Sequence, residues 1–508
     1  MILWLKSNRL LSILIIVALA FFIYYIFNAV KWIPYPNSVD YGEGFVMNYA
    51  NLWANGTWEW DINVPPYLTM AYGVGFPILA YPFVKLFGAE LWVGRSISLV
   101  ATLVVCFLIY LIVKELTGKK IYGLLAALLP ATQPAFRDWS IMARVDMPAV
   151  MLGLMGFYIA VRFKDSKHFF WCVIPFILAV MVKQIAIAAL LAVMLYLLIY
   201  NRKQLLVFSG LFVSGLAVLL TPLMIISGGT YWKHIALYMN GIENINISLF
   251  NALFPAFFYP FIALLFLSLV FLRRCWHRKE FTMASLFFAV AFIVNAVASS
   301  KTGASCIYYY EAIFAGSICA GLSLPYLLLY AKRKRLKLNA VTVACGLVAL
   351  LFIVMPIWYV KYPDQRYTND MNIARVVMGD SEKPIISENP ALALDMGKDV
   401  YIEYFIFTNM TRLGYWDETP YVENYKNQDF DYILMRVSLD TRLDNMSKGY
   451  LDGHFLDVVL NAINQNYTLV YESEAEVWLH SVYVYEANEK LGSDERFMWR
   501  DGKLYRRI

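Results

Sequence analysis

The chain has 508 residues, of which 60% are hydrophobic, 17% aromatic and only 16% charged. A charged fraction this far below the soluble average argues against a soluble protein. The net charge of +6 is unevenly divided, since residues 1–360 carry +15 and residues 361–508 carry −9. We therefore expect a membrane-embedded region followed by a water-exposed one.

Hydropathy predicts about eleven spans before residue 361, because a spanning helix needs roughly 20 apolar residues and shorter ones occur within bundles. The apolar stretch 169–200 is interrupted only by Lys183 and Gln184. As one helix it would be about 48 Å long, so we predict two short helices that meet at Lys183. In chain order the predicted spans are 10–30, 91–113, 121–135, 146–162, 169–182, 184–200, 205–226, 249–272, 281–299, 307–330 and 339–360.

The positions of the basic residues predict how these spans are oriented in the membrane. Of the 27 Lys and Arg residues before residue 361, 19 lie in the N-terminal segment or in the loops 114–120, 162–167, 202–203, 273–279 and 332–337. The positive-inside rule assigns these loops to the cytoplasm. The N-terminus is then inside, the first helix is a retained anchor, and the chain after residue 360 is extracytoplasmic.

The first outer loop, residues 31–90, is long enough to be functional. Its helical pattern after residue 43 carries an apolar stripe that suits a helix lying on the membrane surface. Asp40 and Glu43 stand at the start of this pattern. Their spacing fits a capping box, which needs no catalysis to explain it. The functional alternative is that a carboxylate at the water–lipid boundary deprotonates a hydroxyl group, and the two roles can coexist.

Further charged residues fall on separate outer loops. Each alone is explained as an interfacial anchor, a local ion pair or a helix cap. Jointly, cations beside carboxylates are what binding an anionic headgroup and an acid–base reaction would require. Ionisable residues are nearly missing from the predicted mid-bilayer positions, which argues against an ion-coupled pathway. These outer residues are Arg137, Asp138, Arg144, Asp146, Lys183, Lys301 and Glu311.

After residue 360 the sequence alternates short β-rich runs, at 384–387, 431–435, 468–471 and 477–485, with helical stretches. This pattern predicts an extracytoplasmic α/β domain of ordinary size. We therefore divide the chain into a transmembrane domain, residues 1–360, which contains the outer loop 31–90, and a C-terminal domain, residues 361–508.

The order of these features resembles the GT-C membrane glycosyltransferases that take sugars from polyprenyl-phosphate carriers. This class contains protein O-mannosyltransferases and the lipid A aminoarabinose transferase, which are glycosyltransferase family 39-like. The resemblance covers nearly the whole chain. It rests on Asp40 with Glu43, on YGVGFP at 72–77, on ARVDMP at 143–148, on Lys183 with Gln184, on the run 301–311, and on 387–394 and 413–417 in the tail.

The resemblance implies a polytopic GT-C-like fold and an inverting hexosyl or pentosyl transferase. The enzyme would move a sugar from a polyprenyl-phosphate carrier to a hydroxyl group of a glycan, lipid or protein. Its active site would face the extracytoplasmic side of a bacterial or archaeal plasma membrane. Membrane lipids are expected partners, and nucleic acid is not.

The resemblance also implies roles for individual residues. Asp40 would be the catalytic base, Glu43 its neighbour or a metal ligand, and Asp146, or else Asp138, would position the acceptor or the base. The lipid phosphate would be held by Arg144, Lys183 and Lys301, in a binding region that also includes Arg137, Asp138, Tyr309 and Glu311.

No cofactor is required on this interpretation, because fixed cations can stabilise the leaving phosphate. A divalent cation stays open, with Glu43 as a candidate ligand. A His-bearing metal site is not expected, since His234 is the only histidine in an outer loop before the tail. Two other classes remain open, a flippase or transporter of lipid-linked glycans and a polymerase or ligase of such glycans.

Overall fold

The computed structural model describes residues 9–238, 247–301, 303–333, 365–379, 381–439, 454–473, 482–490, 497–500 and 503–506. The predicted span 339–360 and most of the predicted cytoplasmic loop 332–337 lie outside the described residues.

The part of the chain before residue 334 is helical. Five of its helical stretches are long and apolar enough to cross a membrane: Leu11–Trp32, Leu91–Thr117, Arg202–Ile226, Phe257–Arg278 and Cys306–Leu327. Each predicted span within the described ranges coincides largely with helix. The α-helices are Arg9–Trp32, Tyr41–Asn55, Gly75–Phe87, Leu91–Thr117, Lys120–Leu128, Pro134–Trp139, Asp146–Arg162, Val173–Val182, Ala188–Tyr200, Arg202–Ile226, Ile247–Arg278, Met283–Ala298 and Tyr310–Arg333.

The predicted break at Lys183 is present. The helix Val173–Val182 ends there, because Lys183 has an extended backbone (φ −148°, ψ 118°). The next helix begins at Ala188. The break leaves Lys183 at the mouth of the bundle instead of within a continuous helix.

The helix Tyr41–Asn55 differs from its prediction. It does not present one face to lipid, because residues 42–50 are all buried. One face packs against the bundle through Val46 and Met47, in a cluster with Val93 and Ala143. The other face packs against the C-terminal part, where the Phe45 ring lies 6.3 Å from that of Tyr404. An apolar stripe cannot by itself tell a lipid surface from a protein surface.

The C-terminal part contains a six-stranded mixed sheet in the order β1-β2-β4-β3-β5-β6. Pairs β1–β2 and β3–β5 are parallel, and the other three are antiparallel. The strands are β1 Ile385–Ser387, β2 Tyr432–Met435, β3 Tyr467–Glu472, β4 Tyr483–Ala487, β5 Phe497–Arg500 and β6 Lys503–Arg506. Helices Gln365–Val377, Pro390–Asp395, Tyr404–Arg412, Thr419–Lys426 and Asp457–Asn466 accompany the sheet.

The first outer loop is joined to this C-terminal part by backbone hydrogen bonds. The Tyr67 amide donates to the Tyr401 carbonyl at 2.8 Å, and the Glu403 amide donates to the Tyr67 carbonyl at 3.0 Å. Tyr49 and Tyr67 belong to the same apolar core as the sheet residues. The outer loop is therefore held between the helical bundle and the sheet, and this position places Asp40 at their junction.

Candidate functional site

Asp40 stands at the N-cap of the helix Tyr41–Asn55, yet its side chain makes no capping hydrogen bond. It forms an ion pair with Arg144 from the loop before the helix Asp146–Arg162. The Arg144 side chain is 12% exposed and that of Asp40 is 15% exposed, so the pair lies at the edge of the protein interior. The predicted capping box is not formed, since Glu43 accepts a hydrogen bond from the Val39 amide at 3.0 Å and not from the amide of the N-cap residue Asp40.

Arg144 connects this pair to a second one. Its Nε lies 3.3 Å from Oδ2 of Asp146, and its Nη2 donates to the Tyr72 hydroxyl at 3.1 Å. Asp146 in turn forms an ion pair with Lys183. The structure thus joins Asp40, Arg144, Asp146 and Lys183 into one continuous network, which we call the Asp40–Lys183 network. These residues come from three separate segments of the chain, and two cations face two carboxylates.

The network borders a small cavity of about 30 Å³. This volume holds about one water molecule, whereas a ligand pocket usually has several hundred Å³. Asp146 and Lys183 line it together with Asn295, Tyr308, Tyr310 and Glu311. The Lys183 ammonium lies 4.8 Å from the centre of the Tyr308 ring. The hydroxyl of Tyr310 is buried and has no hydrogen-bond partner among the described residues, so this cavity has an unused polar group on its wall.

Electrostatics keep the cations of the network charged. Burial alone would lower the pKa of Arg144, but Asp40, Tyr72 and Asp146 raise it well above its usual value. Burial would likewise lower the pKa of Lys183, and the Asp146 carboxylate reverses this, so that the pKa is raised. Burial raises the pKa of Tyr72 to about 12, although Arg144 and Lys183 oppose the shift. Arg144 and Lys183 are therefore cationic and Tyr72 is a neutral hydroxyl at neutral pH.

A second ion pair lies beside the network. Glu43 is fully buried and accepts hydrogen bonds from Nε and Nη2 of Arg95 at 2.8 and 2.9 Å and from the Ala143 amide at 2.9 Å, in addition to the Val39 amide. Burial raises the pKa of Glu43, but Arg95 and these amides outweigh it, and the net pKa is lowered. Arg95 also donates to the carbonyls of residues 32, 35 and 37. The pair therefore fixes the backbone on both sides of Asp40 and next to Arg144.

The other predicted site residues lie around the network rather than in it. Glu311 lines the cavity, and its Oε1 accepts from the Ala189 amide at 3.2 Å. Tyr309 instead faces the bundle, with its ring 3.9 Å from that of Phe257 and its hydroxyl donating to Ser299 at 2.6 Å. Lys301 is half-buried in the turn after the helix Met283–Ala298.

Arg137 and Asp138 lie in the helix Pro134–Trp139. Arg137 is buried, with its guanidinium 5.3 Å from the ring of Phe21 and 5.7 Å from that of Tyr24. Arg137 thus faces the first helix of the chain.

His234 is a structural residue. Its Nδ1 accepts from the Met70 amide at 3.2 Å, which leaves Nε2 to donate to the Trp60 carbonyl at 3.0 Å. Burial lowers its pKa, so the ring is neutral. Within the described ranges, no group of three or more His, Cys, Asp or Glu side chains is placed to hold a metal ion.

The sequence alone did not indicate Arg95 or the hydroxyl groups of Tyr72 and Tyr310 as parts of the site. Arg95 is the one basic residue inside the predicted span 91–113, which is the signal that could have marked it as a buried partner for an acid. In the sequence, Tyr72 stands out only within the YGVGFP motif and Tyr310 only within the run 301–311. Their positions depend on packing between distant segments, which local spacing does not reveal.

Residues 74–232 match the model of the dolichyl-phosphate-mannose-protein mannosyltransferase family. The match includes Arg144, Asp146 and Lys183 and begins after Asp40. No curated protein sequence matches the chain.

The structure is similar to three solved membrane-protein structures. ArnT from Cupriavidus metallidurans, bound to undecaprenyl phosphate, has a TM-score of 0.57 and 13% identity, over 94% of this chain and 98% of that one. The archaeal oligosaccharyltransferase AglB from Archaeoglobus fulgidus, in complex with an inhibitory peptide and a dolichol-phosphate, has a TM-score of 0.57 and 13% identity, over 97% of this chain and 76% of that one. The Archaeoglobus fulgidus oligosaccharyltransferase in complex with Zn and sulfate has a TM-score of 0.55 and 14% identity, over 94% of this chain and 73% of that one. The chain therefore shares its fold with ArnT and AglB, the GT-C fold that the sequence resemblance predicted.

Proposed function

We propose that the protein is an inverting glycosyltransferase that moves a sugar from a polyprenyl-phosphate carrier to a hydroxyl group of a glycan, lipid or protein. The single observation that carries this proposal is the Asp40–Lys183 network, in which ion pairs join two carboxylates and two cations. The similarity in fold to ArnT bound to undecaprenyl phosphate, and to AglB in complex with a dolichol-phosphate, supports a lipid-phosphate ligand.

In the proposed reaction, an acceptor hydroxyl attacks the anomeric carbon while the bond from that carbon to the phosphate oxygen breaks. The electron pair of this bond leaves with the carrier phosphate, and the acceptor proton passes to Asp40. Negative charge grows on the phosphate during the step. Arg144 and Lys183 can therefore stabilise the transition state more than the ground state, which is the requirement for catalysis.

The sharing of Arg144 suggests how the base is released. Arg144 is shared between Asp40 and Asp146, so the two carboxylates compete for one guanidinium. A donor phosphate adds a further anion that binds Arg144 and Lys183. We propose that this competition frees Asp40 to accept the acceptor proton only when the donor is bound, with Asp146 keeping both cations in place.

The remaining predicted binding residues lie around the Asp40–Lys183 network. Glu311 and the unpartnered Tyr310 hydroxyl border the cavity and would contact the sugar once the cavity opens. We propose that a surrounding region for the carrier is formed by Lys301, Arg137, Asp138 and Tyr309.

For the topology, we propose eleven spans with the N-terminus in the cytoplasm of a bacterial or archaeal cell. The division into a transmembrane domain, 1–360, and an extracytoplasmic α/β domain, 361–508, belongs to the same proposal. The basic loops support this orientation. Asp40 and Lys183 then face the outer side of the plasma membrane.

The proposed sugar transfer includes no step that uses a divalent cation. The candidate ligand Glu43 does not fit this role, because its carboxylate already accepts four hydrogen bonds from Arg95, Val39 and Ala143. Binding a metal there would break the pair that holds the loop around Asp40.

The test is to incubate the purified protein with polyprenyl-phosphate-linked monosaccharides and a hydroxyl acceptor, and to measure released carrier phosphate. Release coupled to formation of a glycosylated acceptor is the expected result. Transport of the intact donor across vesicles without bond cleavage would instead identify a flippase. Release only from donors that carry whole glycans would identify a polymerase or ligase, and either result would overturn the proposal.

A further inference from the structure

A second cavity, which is basic, lies at the opposite end of the bundle from the Asp40–Lys183 network. The helix Leu91–Thr117 reaches both places, since Arg95 supports the network and Leu116 lines the second cavity. Twenty-one residues of helix separate them, which is about 31 Å at 1.5 Å per residue. This distance equals the thickness of a bilayer core, so the second cavity lies near the other membrane surface.

Two arginines give this cavity its charge. It has a volume of about 330 Å³ and is lined by Arg274 and Arg278, together with Thr117, Cys275 and Glu280. The two arginines are four residues apart at the end of the helix Ile247–Arg278, so they share one face. The Arg274 guanidinium lies 5.5 Å from the centre of the Tyr326 ring. Neither arginine forms an ion pair with another residue in the described part of the chain.

An apolar groove of about 470 Å³ adjoins the basic cavity. Cys275 lines both spaces, so they meet on one face of the protein. The groove is lined by Leu269, Leu272, Trp276, Phe281, Leu286 and Ala289, with Arg273 at its edge. Trp276 is 70% exposed and Leu269 is 51% exposed. Large apolar side chains in this number at a surface mark contact with lipid or with a partner.

We propose that this cavity and groove bind one anionic phospholipid, with its phosphate between Arg274 and Arg278 and an acyl chain along the groove. Arginine presents a planar set of donors that matches phosphate oxygens. Basic pockets between helix ends at the cytoplasmic surface are suited to anionic lipid headgroups. Glu280, although it forms no ion pair with either arginine, lowers the net charge of the cavity lining to a single positive charge. This charge matches a phosphodiester better than a doubly charged phosphate monoester. The adjoining groove favours a lipid over a free phosphate ion.

The headgroup part is tested by replacing both arginines, Arg274→Gln with Arg278→Gln, in the full-length protein. Its matched control is Arg202→Gln with Lys203→Gln, which removes the same charge from exposed positions at the same end of the bundle. Affinity for phosphatidylglycerol is measured by native mass spectrometry of protein in lipid-free detergent. The double arginine variant is expected to bind about 30-fold more weakly than the parent, and the control to bind like the parent.

The acyl-chain part is tested by fluorescence. Phosphatidylglycerol brominated on its acyl chains quenches nearby tryptophan, and Trp276 lines the groove. Added to the parent in zwitterionic nanodiscs, this lipid is expected to quench a component of the emission that Trp276→Phe lacks. The double arginine variant should lose this component while keeping its size-exclusion profile.

Several outcomes would overturn the proposal. These are equal binding of phosphatidylglycerol and phosphatidylcholine, equal loss of binding in the control variant, and the same quenching in Trp276→Phe as in the parent. Displacement of phosphatidylglycerol by millimolar inorganic phosphate, or tighter binding of undecaprenyl phosphate to this cavity, would assign it to a phosphate monoester instead. None of these measurements involves sugar transfer, so the inference can fail or hold independently of the proposed function.

Discussion

Two arginine–carboxylate systems lie side by side in this protein and are built differently. Arg95 donates to one carboxylate and three backbone carbonyls, and its partner Glu43 accepts four hydrogen bonds. Both side chains are almost completely buried. Arg144, in contrast, is shared between Asp40 and Asp146 and is partly exposed.

This difference separates a structural pair from a site that can exchange partners. A buried pair with every donor and acceptor satisfied loses stability when one partner is removed, because the other charge is left unpaired. A partly exposed guanidinium that is shared between two carboxylates can accept a new anion in place of one of them. We therefore expect variants of Arg95 to affect folding and variants of the Asp40–Lys183 network to affect chemistry.

The variant with the largest expected effect on stability is Arg95→Met, which removes the cation of the buried pair. It should destabilise the protein by about 3–5 kcal/mol, since it leaves the buried Glu43 carboxylate without its cation. Thermal denaturation and size-exclusion chromatography in detergent measure the effect. Arg162→Met, which removes a half-exposed arginine paired with Glu115, is the control and should change stability little. Equal melting temperatures for the two variants would contradict the structural role of Arg95.

On the side of chemistry, Lys183→Gln should lower the rate of carrier release about 10²–10³-fold, the usual effect of removing one donor from a developing oxyanion. Lys183→Arg keeps the charge next to Asp146 and should recover part of the rate. The rates are measured at saturating donor on fractions that elute as folded protein. If the Arg and Gln variants are equally slow, charge at this position is not what the reaction uses.

A third buried carboxylate, that of Glu403, forms no ion pair within the described residues. Glu403 accepts hydrogen bonds from the Tyr49 hydroxyl at 2.9 Å and from the Thr69 hydroxyl at 3.0 Å. Burial raises the pKa of Glu403 to about 7, although these hydroxyls oppose the shift. The folded protein therefore holds a proton that the unfolded chain releases near pH 4.3.

The proton held by Glu403 makes the folded protein less stable as the pH rises. Stability from Glu403 is fully present below about pH 4.3 and is lost as the pH rises toward 7, by on the order of 1 kcal/mol per pH unit. Glu403→Gln should flatten the fall in melting temperature between pH 5 and 7. Glu59→Gln, an exposed change in the same outer loop, should leave it intact. An unchanged slope in Glu403→Gln would show that Glu403 does not titrate in this range.

A smaller effect on the rate of carrier release is expected for a substitution at Gly42, next to Arg144. A Cβ atom there would meet the Arg144 guanidinium and lie 2.8 Å from Oδ2 of Asp40. Because the guanidinium is the end of a flexible chain, it can move away, and Gly42→Ala should reduce carrier release about tenfold with little loss of stability. At Gly44 the added Cβ would instead meet the backbone of Pro390 at 2.9 Å, so Gly44→Ala should lower the melting temperature. The reverse pattern would contradict the geometry around Arg144.

Much of the fold could be predicted from the sequence because it depends on local patterns. Apolar length predicted the helices, and the Lys183–Gln184 interruption predicted the break that the structure has at Lys183. Strands β5 and β6 were missed, although Asp501 and Gly502 between them form a sequence signal typical of a tight hairpin. The first three β-rich runs correspond to β1, β2 and β3. Of the fourth run, residues 483–485 lie in β4, and residues 477–481 lie outside the described residues.

The site was predictable only as a set of candidates. The sequence placed Asp40, Arg144, Asp146 and Lys183 on outer loops, but it could not tell which acid pairs with which cation. That choice is made by contacts across about one hundred residues, such as Arg144 with Asp40 and the Ala143 amide with Glu43. For the same reason, a capping box and an ion pair at Asp40 could not be distinguished from spacing alone.

The most direct test of the central claim compares Asp40→Asn with Asp61→Asn, an equal chemical change at an exposed acid of the same outer loop. Both purified variants receive the same polyprenyl-phosphate-linked sugar and acceptor, and release of the carrier is measured. If Asp40 is the base, Asp40→Asn should transfer sugar 10²–10⁴-fold more slowly than the parent while eluting as folded protein, and Asp61→Asn should match the parent. Transfer by folded Asp40→Asn at the parental rate would contradict the assignment of the base.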